Sequence, residues 1–121
     1  MSSETKHVKK VSIVGAGPGD PELLTVRALH RIQNAEVILY DNLVPSTILD
    51  LSSTAAIKIY VGRKYADAKD QMERQQHINE LMCKYAQQGK NVVRLKSGDP
   101  FIFGRAIEEI RYLIEHNIPF E

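Results

Sequence analysis

The sequence predicts an α/β fold, with a mainly parallel central sheet and helices on its flanks. Three observations carry that prediction. Short apolar, β-branched runs alternate with longer amphipathic runs along the chain. The apolar runs stop at turn-forming residues: Gly15, Asp41, Gly62 and the pair Ser97-Gly98. Helices interposed between strands require crossover connections, which are right-handed and make the neighbouring strands parallel.

The elements follow in order. Val11 to Val14 reads as a buried strand, and the seven residues from Gly15 to Pro21 hold three glycines and two prolines, which is a loop. A helix should follow, with Asp20 as its cap and Pro21 in its first position. Leu24, Ala28, Leu29 and Ile32 fall on one face of it. Glu36 to Tyr40 is a second strand, Pro45 to Leu51 a short helix, and Ala56 to Val61 a third strand. Arg63 to Gln71 is polar loop. Met72 to Gln88 is a helix with Ile78, Leu81, Met82 and Tyr85 in one stripe, and Gly89 is its natural stop. Asn91 to Leu95 is a fourth strand. A last helix spans Gly104 to Glu115, with Ile107, Ile110 and Ile114 aligned, and Ile118 to Phe120 approaches a fifth strand.

Length and composition bound the function. The 121 residues suit one domain. Sixteen basic and fifteen acidic residues leave a formal charge of +1, which excludes a bulk attraction to nucleic acid or membrane, and neither is expected as a partner. Cys83 is the single cysteine, so no internal disulfide or cysteine zinc cage can form, and a reducing, cytoplasmic compartment fits. His7, His30, His77 and His116 are dispersed, with no metal-ligand spacing, and no metal is expected. No apolar run approaches the ~20 residues of a membrane span. Residues 1–10 are polar and basic and are expected to form a disordered tail before a domain at 11–121.

In parallel sheets ligands sit beyond the carboxyl ends of the strands. That rule selects Gly15–Asp20, Asp41–Val44, Gly62–Lys64 and Ser97–Phe103. The first loop admits close approach of a ligand to its backbone. A dinucleotide fingerprint would require glycine five positions after Gly15, and that position is Asp20. A carboxylate there repels a pyrophosphate at a helix N-terminus, and Pro18 removes an amide donor. S-adenosylmethionine, which carries adenosine, a sulfonium and an amino acid but no phosphate, fits better. A tight turn before a capped helix would use the same residues.

The segments GAGPGDPELLT (15–25), YDNLVP (40–45) and RLKSGDPFIFGR (94–105) resemble the uroporphyrinogen-III C-methyltransferases of the tetrapyrrole methylase family. The Glu-Glu at 108–109 and Ile118-Pro119-Phe120 fit too, so the resemblance covers residues 11–121. It implies a cleft between two α/β lobes, with S-adenosylmethionine as methyl donor and S-adenosylhomocysteine as its product. The implied reaction is C-methylation of uroporphyrinogen III to precorrin-2, toward sirohaem or cobalamin. Gly17 and Pro18 match the first cofactor loop, Ser97, Gly98 and Asp99 the second, and Ile102 a further contact. Asp41 matches the proton acceptor. Arg63 stands where the family places a proton-donating lysine. Because arginine stays protonated, it suits binding a carboxylate better than giving up a proton. Lys64 and Arg105 match positions suited to the substrate's carboxylates, and Arg94 and Lys96 add cations nearby.

Other readings use the same residues. Asp41 also reads as a strand-end turn carboxylate, Arg63 and Lys64 as solvated loop cations, and Phe101 and Phe103 as lobe packing. Ser97, Ala106 and Ile107 replace glycines usual in the family, and the latter two predict a firmer helix start. Family members run to roughly double this length, so the chain is expected to be an N-terminal lobe lacking its second lobe, weakly active or inactive alone, and a homodimer. A dinucleotide-binding oxidoreductase lobe and a non-catalytic, self-associating lobe are the other function classes. Nucleotide titration separates the first, and solution mass the second.

Overall fold

A computed structural model describes residues 8–41, 43–62, 71–97 and 105–121; the side chains of Gln71, Arg105 and Ala106 lie outside that description. Four strands, β1 (Val11–Gly15), β2 (Val37–Tyr40), β3 (Ile57–Tyr60) and β4 (Val92–Lys96), form one sheet in the order β1-β4-β2-β3. All three pairings are parallel. The helices are α1 (Val26–Gln33), the short α2 (Ser46–Leu49), α3 (Gln71–Gln87) and α4 (Arg105–Glu115).

The insertion of β4 between β1 and β2 decides where the helices go. The chain leaves β1 in one direction across the sheet and returns from β3 in the other. Right-handed crossovers then place the outgoing and returning helices on opposite faces. The two cores agree. Ala28 and Ile32 of α1 and Ile48 of α2 pack with Val14, Ile38, Val93 and Leu95 on one face. Ile78, Met82, Cys83 and Ala86 of α3 and Leu113 of α4 pack with Val11, Ile13, Val37, Leu39 and Val92 on the other. Strand residues alternate between the two faces, as the pleat requires.

Three expectations change in detail. Asp20 caps only a single 3-10 turn, Pro21–Leu23, where its Oδ1 accepts from the Glu22 amide at 2.9 Å. Leu24 is extended, so the helix restarts at α1, where Thr25 Oγ1 accepts from the Ala28 amide at 3.0 Å. The inner face of α4 carries Glu109 and Leu113, both fully buried, whereas Ile107 and Ile114 are 55% and 59% exposed. Of the three aligned isoleucines Ile110 alone packs against that core, so the isoleucine spacing is offset from the buried face of α4, because it gives no weight to a buried glutamate. The strand approached at Ile118 becomes a parallel bridge of Phe120 with Val11 outside β1. There the Val11 and Ile13 amides donate to the Pro119 and Glu121 carbonyls at 2.9 and 3.0 Å.

Both long helices end in the same motif. After α3 the Lys90 amide donates to the Tyr85 carbonyl and the Gly89 amide to Ala86, with Gly89 at φ 80°. After α4 the Ile118 amide donates to Leu113 and the Asn117 amide to Ile114, with Asn117 at φ 58°. Each motif reverses the chain into the next extended segment. Gly89→Ala should therefore cost about 1–2 kcal/mol, the left-handed penalty of a Cβ, read from the urea midpoint.

Glu121 ties the start of β1 to α1. Its carboxylate accepts from Arg31 and from Ser12 Oγ and pairs with Lys10 at 3.1 Å. The hydrogen bonds from Arg31 above all, with those from Lys10 and Ser12, hold its carboxyl down at about 2 from an ordinary 4.5, while burial opposes them. A carboxyl depressed in the folded state contributes stability that is complete above its unfolded value and is lost as pH falls toward the folded one. Stability should thus decline between about pH 4.5 and pH 2, and Glu121→Gln should flatten that limb in urea titrations across the range.

Candidate functional site

The chain leaves β1 and β4, which are adjacent, toward opposite faces of the sheet. A crevice opens at their carboxyl ends in such a topology. The Ala16 amide donates to the Lys96 carbonyl at 2.7 Å, which ties the first glycine loop to the end of β4. Gly17 takes φ 62° and Gly19 φ 97°, both left-handed. Among the described residues a Cβ on Gly17 would meet nothing within 4 Å, so its backbone is open with respect to them. A Cβ on Gly19 would approach Pro45 Cγ to 3.3 Å, so that glycine lets the loop pack against the start of α2. Pro18 is exposed at the tip. Ser97 is half-buried directly after β4. Among the described residues Asn117 is the one non-glycine with positive φ, so Ser97 occupies ordinary backbone and its side chain adds no strain.

Asp41 follows β2 at the same edge of the sheet. Adjacent strands lie about 4.8 Å apart, which puts Asp41 roughly 10 Å across β4 from the first loop. Its side chain is 26% exposed, and its Oδ1 pairs with Arg94 Nη2 at 3.0 Å. Arg94, on the central strand, is 3% exposed. Its Nε donates to Glu109 Oε2 at 3.0 Å, and its Nη1 donates to the Leu39 and Leu95 carbonyls at 3.3 and 3.4 Å. Glu109 Oε2 also accepts from Gln75 Nε2 at 3.2 Å. Glu109 Oε1 has no hydrogen-bond partner among the described residues and faces Lys96 Nζ at 3.4 Å as an ion pair.

Two cations and two carboxylates thus share one end of the sheet, on the face covered by α3 and α4. Strand alternation puts them there. Val92, Arg94 and Lys96 point to one face and Val93 and Leu95 to the other. Burial pushes the Lys96 ammonium below its ordinary range, as does the neighbouring Arg94 charge, while Glu109 and Asp41 push the other way. Removing one partner of such a buried pair is strongly destabilising, by about 3–5 kcal/mol, because a charge is left uncompensated.

Arg94 and Lys96 therefore depart from the role expected for them. Both are turned inward and paired with Glu109, rather than held free for a polycarboxylate. Of the other predicted site residues, Gly17, Pro18, Ser97 and Asp41 are brought to one edge. Arg63, Lys64, Gly98, Asp99 and Ile102, with Phe101 and Phe103, lie outside the described residues. Arg105 is the first residue of α4, and its side chain lies outside them as well. Glu109 and Gln75 were not among the expected residues. The signal for Glu109 was a charged pair at alternate positions of a strand otherwise apolar, which demands an acidic partner from the covering helix. His30, His77 and His116 are exposed, and among the described residues no three metal-ligating side chains come together. No helix among them is long and apolar enough to cross a membrane.

Comparison with known proteins agrees with this arrangement. The profile of the Tetrapyrrole (Corrin/Porphyrin) Methylases matches residues 10–121. A siroheme synthase of Saccharophagus degradans is 52% identical over 120 residues, covering 99% of this chain and 26% of that protein. One of Pseudomonas putida is 54% identical over 112 residues, covering 93% of this chain and 24% of that protein. The chain thus spans about a quarter of the length of these curated relatives. Among solved structures, uroporphyrin-III C-methyl transferase from Thermus thermophilus complexed with S-adenyl homocysteine superposes with a TM-score of 0.75 at 42% identity, covering 93% of this chain and 42% of that one. A cobalt precorrin-4 methyltransferase superposes with a TM-score of 0.79 at 31% identity, covering 93% and 44%. With its parallel sheet, its glycine loop and a family profile that spans nearly every residue, the chain belongs to the tetrapyrrole (corrin/porphyrin) methylases.

Proposed function

We propose that this chain supplies the first lobe of an S-adenosylmethionine-dependent enzyme that methylates carbons of uroporphyrinogen III to give precorrin-2. The observation that carries the reading is the placement of Asp41 and the open Gly17 backbone at one edge of the sheet. The loop suits a ligand without phosphate. Among the described residues Gly17 leaves open space beside the backbone, and the Asp20 carboxylate already occupies the start of the following turn, where an anion would otherwise sit. Gly17, Pro18 and Ser97, with Gly98, Asp99 and Ile102, would hold the cofactor. When bound, S-adenosylmethionine supplies an electrophilic methyl group.

The part assigned to this chain's residues is positional and protic. Asp41 accepts the proton that the methylated ring gives up, or steers the ring by accepting from its pyrrole N–H groups. Its partial exposure leaves it open to a substrate while Arg94 holds one oxygen. Arg63, Lys64 and Arg105 neutralise substrate carboxylates, a role that suits an always-charged guanidinium. The chain spans less than half of the matched methyltransferase structures, which supports little or no turnover by the 121 residues alone. Exposed Leu23, Val26 and Leu43 provide apolar surface for a homodimer. A single buried cysteine suits the reducing cytoplasm.

Calorimetric titration of the chain should show binding of S-adenosylhomocysteine and none of NAD; binding of NAD alone would overturn the reading in favour of a dinucleotide lobe. In the full protein that carries this lobe, Asp41→Asn should lower kcat for uroporphyrinogen III methylation by about 10²–10⁴-fold, the usual worth of a positioned acid–base group. Cofactor affinity should stay unchanged, as checked by the same titration.

A further inference from the structure

Arg94 spends each side of its guanidinium on a different partner. Nε meets Glu109, Nη2 meets Asp41, and Nη1 meets the Leu39 and Leu95 carbonyls. A planar group held in three directions cannot turn about its own axis. Its partners are also unequal in exposure: Glu109 is fully buried, whereas Asp41 reaches the open edge of the sheet. The guanidinium is therefore a strut between a fixed carboxylate inside and a presented carboxylate outside.

We propose that Arg94 is a positioning residue for Asp41, with Glu109 as its anchor and with Gln75 and Lys96 holding that anchor. The proposal rests on the reading of Asp41 as the group that faces the tetrapyrrole. It changes the assignment of a cation: Arg94 acts on the substrate only through Asp41 and binds no substrate carboxylate itself. The inner half of the device is closed on the buried side, because Gln75 and Lys96 both address Glu109. Lysine could not replace Arg94. One ammonium is a compact charge, and it cannot reach Glu109, Asp41 and two backbone carbonyls from one plane.

Two measurements test this, and the first needs no activity. In nitrogen-15 spectra of the 121-residue chain, Arg94 should give resolved, slowly exchanging Nε and Nη proton signals. Asp41→Asn should remove the protection of the Nη2 protons and spare both Nε–H and the Nη1 protons held by the Leu39 and Leu95 carbonyls, whereas Glu109→Gln should shift Nε–H. Arg94 signals unchanged by Asp41→Asn would overturn the proposal, and this holds even if the protein methylates nothing. The second uses the full protein carrying the lobe. Arg94→Lys should lower kcat by about 10²-fold, the effect of a misplaced group, with KM for uroporphyrinogen unchanged. In an Asp41→Asn background the same substitution should cause no further loss. A loss that persists in that background, or that falls on KM, would make Arg94 a structural or substrate-binding residue instead. Absence of methylation by the unaltered protein would sink the proposed function and leave the spectroscopic result to decide the pairing.

Discussion

A guanidinium buried in the middle of a sheet cannot shed its proton, and the surroundings of Arg94 follow from that constraint. The charge requires a carboxylate at hydrogen-bond distance, and Glu109 is the only residue of α4's buried face that offers one among the described residues. A fully buried Glu109 in turn requires compensation of its own: Gln75 from α3 donates to the same Oε2, and Lys96 from β4 faces Oε1 as an ion pair. The rotation of α4 about its axis is thereby set by an ion pair as much as by apolar packing. Leu113, one turn further along, shares the inner face, and Ile107 and Ile114 are left outward.

The legibility of the sequence follows the same division. Strands and helices were readable because apolar residues recur at periods that burial imposes, and loops because glycine, proline and aspartate end those periods. The candidate ligand edge could be located from the rule that ligands lie beyond the carboxyl ends of parallel strands, because Gly15, Asp41, Gly62 and Ser97 each follow an apolar run. What could not be read was the partner of a buried charge. Periodicity scores Arg94, Lys96 and Glu109 as polar and assigns them to water, and only the register of β4 against the covering helices shows that they satisfy one another. Asp20 caps a 3-10 turn and not α1 for a related reason: the sequence holds two competent caps five residues apart, and the extended backbone of Leu24 decides which of them starts α1.

The departures from the family pattern fall into two kinds. Ser97 is benign, because its backbone is not left-handed and never required glycine. Ile107 is different. It stands at the beginning of α4, more than half exposed, on a turn that faces away from the core. A residue of that size alters what can lie against the helix start without altering the packing beneath it. Its contribution to stability is the better helix propensity it has over glycine, not core packing.

The pairing of β1 has a consequence for how the chain acquires its structure. Its neighbours are β4 on one side and Pro119–Glu121 on the other, so this strand finds its hydrogen-bonding partners only some eighty or more residues further along the chain. Contacts so remote along the chain form slowly, since the intervening segment must be confined before they repay its loss of freedom. On topological grounds β1, the earliest strand of this sheet along the chain, is the last of the four to be locked in place. The glycine loop inherits that lateness. Until the Lys96 carbonyl is present to accept the Ala16 amide, Gly15 to Asp20 is open chain, and this edge of the sheet is a product of a late stage of its folding.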